Sequence, residues 1–189
     1  MILHQKRTGL FVIAGIMAMF QSGFLLASIQ QRADVLRNGA EIVLQTAPVD
    51  PRDLLRGDYV TLGYDITRIE LSRVEGSKEN TRRNQPVRVF VQTGSDGVAS
   101  FTRASFDSTA MPREGEIMLL GTARSIGSTT LLINYGIERY YVPEGKGLAI
   151  EHAQREQRVD AVIAVSNGGK AQIKALRIDS KTIFEEPLY

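Results

Sequence analysis

Two short stretches of the sequence concentrate charged and tyrosine side chains. The first is PVDPRDLLRGDYVTLGYDI, residues 48–66, and the second is ERYYVPEGK, residues 138–146. Acids, bases and tyrosines so close together can recognise a polar ligand or a protein surface. The candidate binding residues are Asp50, Arg52, Asp53, Arg56, Asp58, Tyr59 and Tyr64 in the first stretch, and Glu138, Arg139, Tyr140, Glu144 and Lys146 in the second.

The first stretch joins a stiff approach to a strand. Pro48 and Pro51 restrict the residues before them to extended backbone, and Gly57 permits a turn. From there a period of two places Tyr59 on one face and, on the other, Val60, Leu62, Tyr64 and Ile66. On one interpretation the apolar face is core and Asp58 holds the turn. On the other, the charged residues form a rim beside Tyr59 that recognises a polar partner.

The second stretch predicts a corner between a strand and a helix. Residues 139–142 are typical of a strand that ends at Pro143. One interpretation is a structural corner held by local ion pairs. The other is that the corner and the arm formed by residues 48–58 converge into one polar groove. That hypothesis requires Tyr59 and Tyr140 to lie at the same end of the domain.

Composition excludes several classes of site. The chain has no cysteine, which removes disulfides, thiolate metal sites and thiol nucleophiles. Its two histidines are His4 and His152, so a Ser/His/Asp triad would have to use His152. We expect no metal ion and no cofactor. The 23 basic and 21 acidic residues are interspersed, which argues against nucleic acid as a partner.

One further stretch invites an enzymatic interpretation. DSTAMPREGEIMLLG, residues 107–121, is loosely similar to the serine-containing motif of membrane-anchored signal peptidases, and VPEGKG is similar to a later motif of theirs. Ser–Lys catalysis needs a serine within hydrogen-bond reach of a neutral lysine. Ser108 has no evident basic partner at that family's spacing, and Glu116 stands in place of its aspartate. We assign no catalytic residue.

The N-terminal region predicts a membrane anchor. No residue between Thr8 and Ile29 is charged, and about 20 apolar residues suffice for a helix to cross a bilayer. The alternatives are a buried core helix and a cleaved secretory signal, whose apolar run is shorter. We therefore predict a cytoplasmic leader over 1–7, a transmembrane signal-anchor helix over 8–29 and a helical linker over 30–39.

Residues 40–189 are then expected to form one extracytoplasmic domain. Lys6 and Arg7 before the span are matched by Arg32 and Arg37 after it, so the positive-inside count scarcely discriminates between orientations. An N-terminal anchor with a short basic leader nevertheless places the polar remainder outside the cytoplasm as a rule. The expectation is a single-pass protein of a bacterial inner membrane with a periplasmic domain.

The pattern of residues 40–189 favours β-strands. Three turn sequences, TGSDG at 93–97, SIGST at 125–129 and SNGG at 166–169, each separate two apolar runs and predict three hairpins. Ile173 is out of step with Leu176, which indicates a bulge near Lys174–Ala175. A short helix is predicted within 144–157. The fold class is therefore mainly β, an antiparallel barrel-like or sandwich-like domain with one short helix, preceded by the transmembrane helix.

Three quoted stretches carry a family resemblance. GDYVTLGY, residues 57–64, matches every fixed position of the bacterial GDYXXLXY family, and PVDPRDLLR and YGIERYYVPEGKG resemble that family's other shared stretches. The resemblance covers residues 40–165. It implies a membrane-anchored bacterial protein commonly encoded beside polytopic membrane proteins, and it supplies no reaction.

Two functional hypotheses follow from these observations. The favoured one is a membrane-anchored extracytoplasmic binding or accessory domain, with a polytopic inner-membrane protein as its partner and the bilayer contacted through residues 8–29. Small residues in the helix, such as Gly15, Ala18 and Gly23, permit close approach of another helix. The alternative is a membrane-anchored hydrolase distantly similar to signal peptidases.

Overall fold

The computed structural model describes residues 2–48, 59–76 and 82–187, and it describes side chains from residue 13 onwards. The chain divides into two compact units, Met1–Asp34 and Val35–Tyr189. The first unit belongs to helix α1, Ile2–Asn38. Within Ile13–Asn38 the mean hydropathy reaches 1.5, which together with the length is enough to cross a membrane. This weakly supports single-pass anchoring, because a signal sequence near the N-terminus has the same properties.

The second unit is rich in strands, which account for 45% of the structure. One further helix, α2, spans Gly147–Arg155. The strands are β1 Ala40–Ala47, β2 Tyr59–Thr61, β3 Gly63–Tyr64, β4 Arg68–Glu70, β5 Val74–Glu75, β6 Pro86–Thr93, β7 Ala99–Ser105, β8 Glu116–Ile126, β9 Thr130–Asn134, β10 Arg139–Tyr141, β11 Val159–Val165, β12 Ala171–Ile178 and β13 Lys181–Glu185.

These strands form a curled sheet, or half-barrel, which confirms the predicted fold class and favours the barrel-like form. One group follows the order β13-β12-β11-β1-β3, and a second follows β4-β9-β8-β6-β7-β5. A two-stranded ribbon, β10-β2, is the third group. Strand β1 pairs with both β11 and β3, and all the pairings are antiparallel except that between β5 and β7.

The three predicted hairpins are present as β6-β7, β8-β9 and β11-β12. The period of two in these strands correctly predicts which side chains face the core, since Val87, Val89 and Val91 are fully buried. The predicted bulge is also confirmed. Val162 pairs with Ala175 whereas Ile163 pairs with Ile173, so Lys174 is the extra residue that returns the second arm to phase.

Helix α2 lies within the 144–157 segment, as predicted. Its buried face carries Ile150, Ala153 and Gln154, and the Gln154 amide donates a 2.8 Å hydrogen bond to the Ala47 carbonyl at the end of β1. The face that includes Leu148 is exposed to solvent. The helix therefore closes one end of the core next to the end of β1.

Candidate functional site

The β2–β10 ribbon brings the two charged stretches together. Tyr59 pairs with Tyr141, and Thr61 pairs with Arg139 in the antiparallel register. The backbone N–H of Leu62 adds a 2.9 Å hydrogen bond to the Glu138 carbonyl. The two strands of the ribbon are neighbours in space although they are far apart in the sequence.

Alternation along the ribbon sends the side chains of Tyr59, Thr61, Arg139 and Tyr141 outward. The Tyr59 and Tyr141 rings meet edge to face with their centroids 6.1 Å apart. The Arg139 guanidinium lies 5.3 Å from the centre of the Tyr59 ring, within the range of a cation–π contact. Tyr141 is 74% exposed. We call Tyr59, Arg139 and Tyr141 the aromatic edge. It presents aromatic faces and a charge to solvent, a composition common at protein interfaces.

Tyr64 points the opposite way, into the core. Its hydroxyl donates to the Ile137 carbonyl at 2.9 Å, and the Tyr135 hydroxyl donates to the Ile66 carbonyl at 2.7 Å. Burial, followed by the nearby Glu138 carboxylate, raises the pKa of both tyrosines well above the ordinary value. These two crossed hydrogen bonds tie the segment after β2 to the turn before β10.

Tyr140 is also an inward residue. Its ring lies against Phe184 with a 6.5 Å centroid distance. Burial, with smaller contributions from the Glu186 and Glu185 carboxylates, raises the pKa of Tyr140 to about 12. A neutral, buried phenol in this position supports packing between β10 and β13 and is not presented to a ligand.

The Glu138 carboxylate holds a turn. It accepts hydrogen bonds from the backbone N–H groups of Tyr135 (2.5 Å) and Gly136 (2.9 Å). The Asn134 amide nitrogen, in the orientation that satisfies its own hydrogen bonding, donates to both carboxylate oxygens at 2.6 and 2.9 Å. Glu138 therefore fixes the connection between β9 and β10.

The corner before α2 is held by backbone. The Lys146 N–H donates to the Pro143 carbonyl at 3.1 Å, and Gly145 takes the left-handed φ of 79° that the turn requires. Glu144 and Lys146 are exposed, and neither forms an ion pair with any residue that the structure describes. The corner thus differs from the one held by local ion pairs that the sequence suggested, because the turn geometry alone closes it.

A polar cleft of about 670 Å³ adjoins the ribbon. We call it the arginine cleft, and the described residues that line it are Thr61, Arg83, Asn84, Thr122, Arg124, Asn134, Gly136, Glu138 and Arg139. Sequence reasoning missed Arg83 and Arg124. The available signal was the alternation of β8, in which Ala123 is buried and Arg124 must therefore face outward.

Comparison with known proteins gives one match. A family model described as GDYXXLXY protein matches residues 21–176, which is more than half of the chain. The chain belongs to the GDYXXLXY family. No curated protein and no solved structure matches it.

The GDYXXLXY signature itself divides between the two faces of the chain. Its described part runs from Tyr59 to Tyr64, with Val60, Leu62 and Tyr64 buried and Tyr59 only partly so. Five predicted site residues in and before the signature lie outside the described residues, namely Asp50, Arg52, Asp53, Arg56 and Asp58. The polar groove between that arm and the corner stays a prediction, although Tyr59 and Tyr140 do lie on adjacent strands.

The signal-peptidase-like stretch of this GDYXXLXY chain forms a turn. The Asp107 carboxylate accepts hydrogen bonds from the backbone N–H and the hydroxyl of Thr109, both at 2.8 Å, and these lower its pKa. Ser108 is exposed, and no lysine of the described residues hydrogen-bonds to it. His152 is likewise exposed, with Nδ1 lying 3.4 Å from the Glu156 carboxylate. Neither Ser–Lys nor Ser–His geometry is seen within the described part of the chain.

Glu116, which stands where the signal peptidases have an aspartate, belongs to an ion pair instead. Arg103 donates to it at 2.8 Å, and Arg103 is 7% exposed because it lies over the Phe90 ring. Burial alone would raise the pKa of Glu116, but hydrogen bonds from Arg103, from the Arg113 backbone N–H and from Thr102 outweigh it and lower the pKa to about 2. Such a carboxylate is a structural anion.

Proposed function

We propose that this chain is a membrane-anchored accessory domain that binds a polytopic inner-membrane protein through the aromatic edge. The observation that carries the proposal is the outward-facing cluster of Tyr59, Arg139 and Tyr141 on the ribbon, in which Tyr59 is half-buried and the other two side chains are exposed. Tyrosine and arginine dominate the energetics of protein interfaces, because they bury a large area with few rotatable bonds and retain a polar group. An outward-facing ring pair beside a guanidinium is therefore a strong interface candidate.

The ribbon also presents this edge in a fixed shape. Leu62 and Tyr64 anchor the β2 side in the core, and Glu138 holds the turn that leads into β10. A preformed contact surface loses less conformational entropy on binding than a mobile one. The edge can thus bind with little reorganisation.

The apolar helix supports a partner within the membrane. A domain that is covalently attached to a membrane span meets integral membrane proteins at a high effective concentration. We place the protein in the inner membrane of a bacterium, with the domain on the periplasmic side. The position of the span supports this orientation, because a short N-terminal leader precedes it and a long polar remainder follows it.

Site-specific photo-crosslinking in intact membranes tests the proposal. A benzophenone amino acid replaces Tyr141 in the full chain, and Met111 is the matched control because its side chain is exposed to nearly the same extent, 73% against 74%. We expect crosslinking to one polytopic membrane protein from position 141 and none from position 111, with products identified by mass spectrometry.

A second variant links the product to the edge. Adding Tyr59→Ala should reduce the yield from position 141 about tenfold or more, because interface hot spots contribute at least about 2 kcal/mol. The melting temperature of the variant verifies that it folds. Equal products from positions 141 and 111, or a yield that Tyr59→Ala leaves unchanged, would contradict the proposal.

A further inference from the structure

The described residues that line the arginine cleft carry polar or charged side chains, apart from one glycine. Three arginines, two threonines, two asparagines, one glutamate and one glycine surround about 670 Å³, a volume typical of small-molecule sites. Most such sites are largely apolar, so polar side chains around a cleft favour a polar ligand. Among the described lining residues three cationic groups outnumber one carboxylate, which leaves these residues with a net positive charge. The ligand that fits this chemistry is an anion.

The arginines of the cleft differ from three other arginines of the domain, which are held in ion pairs. Arg103 and Arg113 form ion pairs with Glu75, and Arg158 forms ion pairs with Glu156 and Asp179. By contrast, Arg83, Arg124 and Arg139 form no ion pair within the described part of the chain. The one carboxylate among the described lining residues, Glu138, is already engaged by backbone N–H groups and Asn134.

The walls of the cleft are built by regular backbone contacts. The N–H of Asn84 donates to the Ala123 carbonyl, and the Ala123 N–H donates to the Gln85 carbonyl, both at 2.8 Å. These bonds fasten the segment carrying Arg83 alongside the strand that carries Arg124. Across the cleft, Glu138 fixes the turn from which Arg139 emerges. The backbone positions of the three arginines are therefore held around one cleft by the fold itself.

We propose that the arginine cleft binds a phosphate group. Guanidinium groups match phosphate oxygens in a two-pronged geometry, and Thr61, Thr122 and Asn84 supply further donors. A carboxylate has two oxygens, which a single arginine can satisfy, whereas a phosphate offers enough acceptors for several arginines at once. The phosphate belongs either to a small soluble ester or to a phospholipid headgroup, since both present the same oxygens.

The phosphate site can be tested separately from the membrane partner, because Arg139 is the one described residue that the cleft and the aromatic edge share. Arg83 and Arg124 therefore serve as the test positions. Both are exposed, so glutamine at either should fold normally. Arg155 is an exposed arginine on α2 outside the cleft, and Arg155→Gln makes the same change in net charge.

The test measures pyrophosphate binding to the full chain in nanodiscs of phosphatidylcholine by calorimetry, with chloride matching the ionic strength. We expect wild type and Arg155→Gln to bind pyrophosphate with equal affinity. Arg83→Gln and Arg124→Gln should each bind it at least about tenfold more weakly. Acetate should bind weakly to all four proteins. No pyrophosphate binding to wild type, equal loss in all three variants, or equal binding of acetate would each overturn the proposal.

A second set of nanodiscs identifies the source of the phosphate. If the natural ligand is a headgroup, replacing part of the phosphatidylcholine with phosphatidylglycerol should weaken pyrophosphate binding to wild type by competition. The same lipid should then leave the residual binding of Arg124→Gln unaffected. If the two lipid compositions give the same affinity, the ligand is a soluble phosphate ester. Both outcomes retain the phosphate site and differ only in what carries it.

Discussion

At the scale of single residues, the two tyrosines of the GDYXXLXY signature have opposite surroundings. Tyr64 is 3% exposed and donates a hydrogen bond to Ile137, whereas Tyr59 faces outward between Arg139 and Tyr141. The five-residue spacing between them places them on opposite faces of an extended chain. One tyrosine stabilises the domain, and the other is available for recognition.

Tyr64→Phe should therefore lower the free energy of unfolding. The change leaves the buried Ile137 carbonyl without its donor, which costs about 1–2 kcal/mol. Denaturant unfolding of the full chain in detergent micelles measures the loss. Tyr59→Phe is the matched control and should change the stability by less than about 0.5 kcal/mol. Equal effects of the two substitutions would show that the Tyr64 hydrogen bond is not a source of stability.

Gly121 is a second residue at which adding one carbon atom should change the stability of the domain. A Cβ there would lie 2.3 Å from the Ile133 side chain and 3.1 Å from the Tyr135 ring. Gly121→Ala should therefore overpack the core and destabilise the domain by about 1–3 kcal/mol. Gly168→Ala is the control, because its Cβ would come no nearer than 3.9 Å to the Ser166 hydroxyl. A neutral Gly121→Ala in thermal unfolding would mean that β8 and β9 move apart at little cost.

At the scale of elements, the Arg103–Glu116 pair fastens the outer face of β6, β7 and β8. The Arg103 guanidinium lies 3.7 Å from the centre of the Phe90 ring and binds Glu75, Glu116 and the Met111 carbonyl. It thus covers a fully buried aromatic ring and holds the loop between β7 and β8. Removing one partner of a buried pair leaves the other charge uncompensated.

This pair makes the stability depend on pH. The pKa of Glu116 is about 2 in the folded chain and about 4.5 when unperturbed. Its contribution is therefore present above the unfolded value and is lost as the pH falls from about 5 through 2. Glu116→Gln should cost about 3 kcal/mol at pH 7, and its deficit relative to wild type should shrink over that range.

Urea unfolding of the full chain at a series of pH values measures this difference. Glu114→Gln is the control, because Glu114 is exposed on the same loop and makes no ion pair among the described residues. A constant deficit of Glu116→Gln at every pH would show that the charge of Glu116 contributes nothing and that only its shape matters.

The sequence predicts those elements whose pattern reports burial. Three hairpins and the bulge at Lys174 follow from a period of two and its interruption, because β-strands alternate their faces. Phe90 shows where that reasoning ends. Phe90 alternates with the buried valines of β6, so the pattern predicts that its side chain faces solvent. It is nevertheless fully buried, because Arg103 and the loop after β7 cover it. When a side chain is covered by residues of another strand, the local sequence pattern does not show that it is buried.

At the scale of the whole molecule, site residues come together through pairing between distant strands. The sequence nominated Tyr59 and Arg139 separately, and the ribbon makes them neighbours. Arg83 and Arg124 carry no motif, and only the contact between the segment before β6 and β8 puts them in one cleft. Candidate site residues can thus be identified from the residue types in the sequence. Which of them lie together in space depends on how distant strands pair.

The anchor is the remaining property of the whole chain, and it predicts how the protein fractionates. Ile16 and Phe20 are exposed apolar residues one helical turn apart in α1. Lysine at both positions should prevent stable insertion, because each charge near the middle of a span costs about 2.5–3.5 kcal/mol. Wild type should remain in the membrane pellet after alkaline carbonate extraction, and the double variant should be released.

Gln30→Lys and Gln31→Lys together form the matched control, because they add the same charge at the polar end of the helix, where lysine reaches the interface. This protein should stay in the pellet. In spheroplasts of a bacterial host, added protease should digest the domain of wild type but spare a cytoplasmic marker. Release of wild type by carbonate would refute the anchor, and protection from protease in sealed spheroplasts would reverse the proposed orientation while leaving the anchor in place.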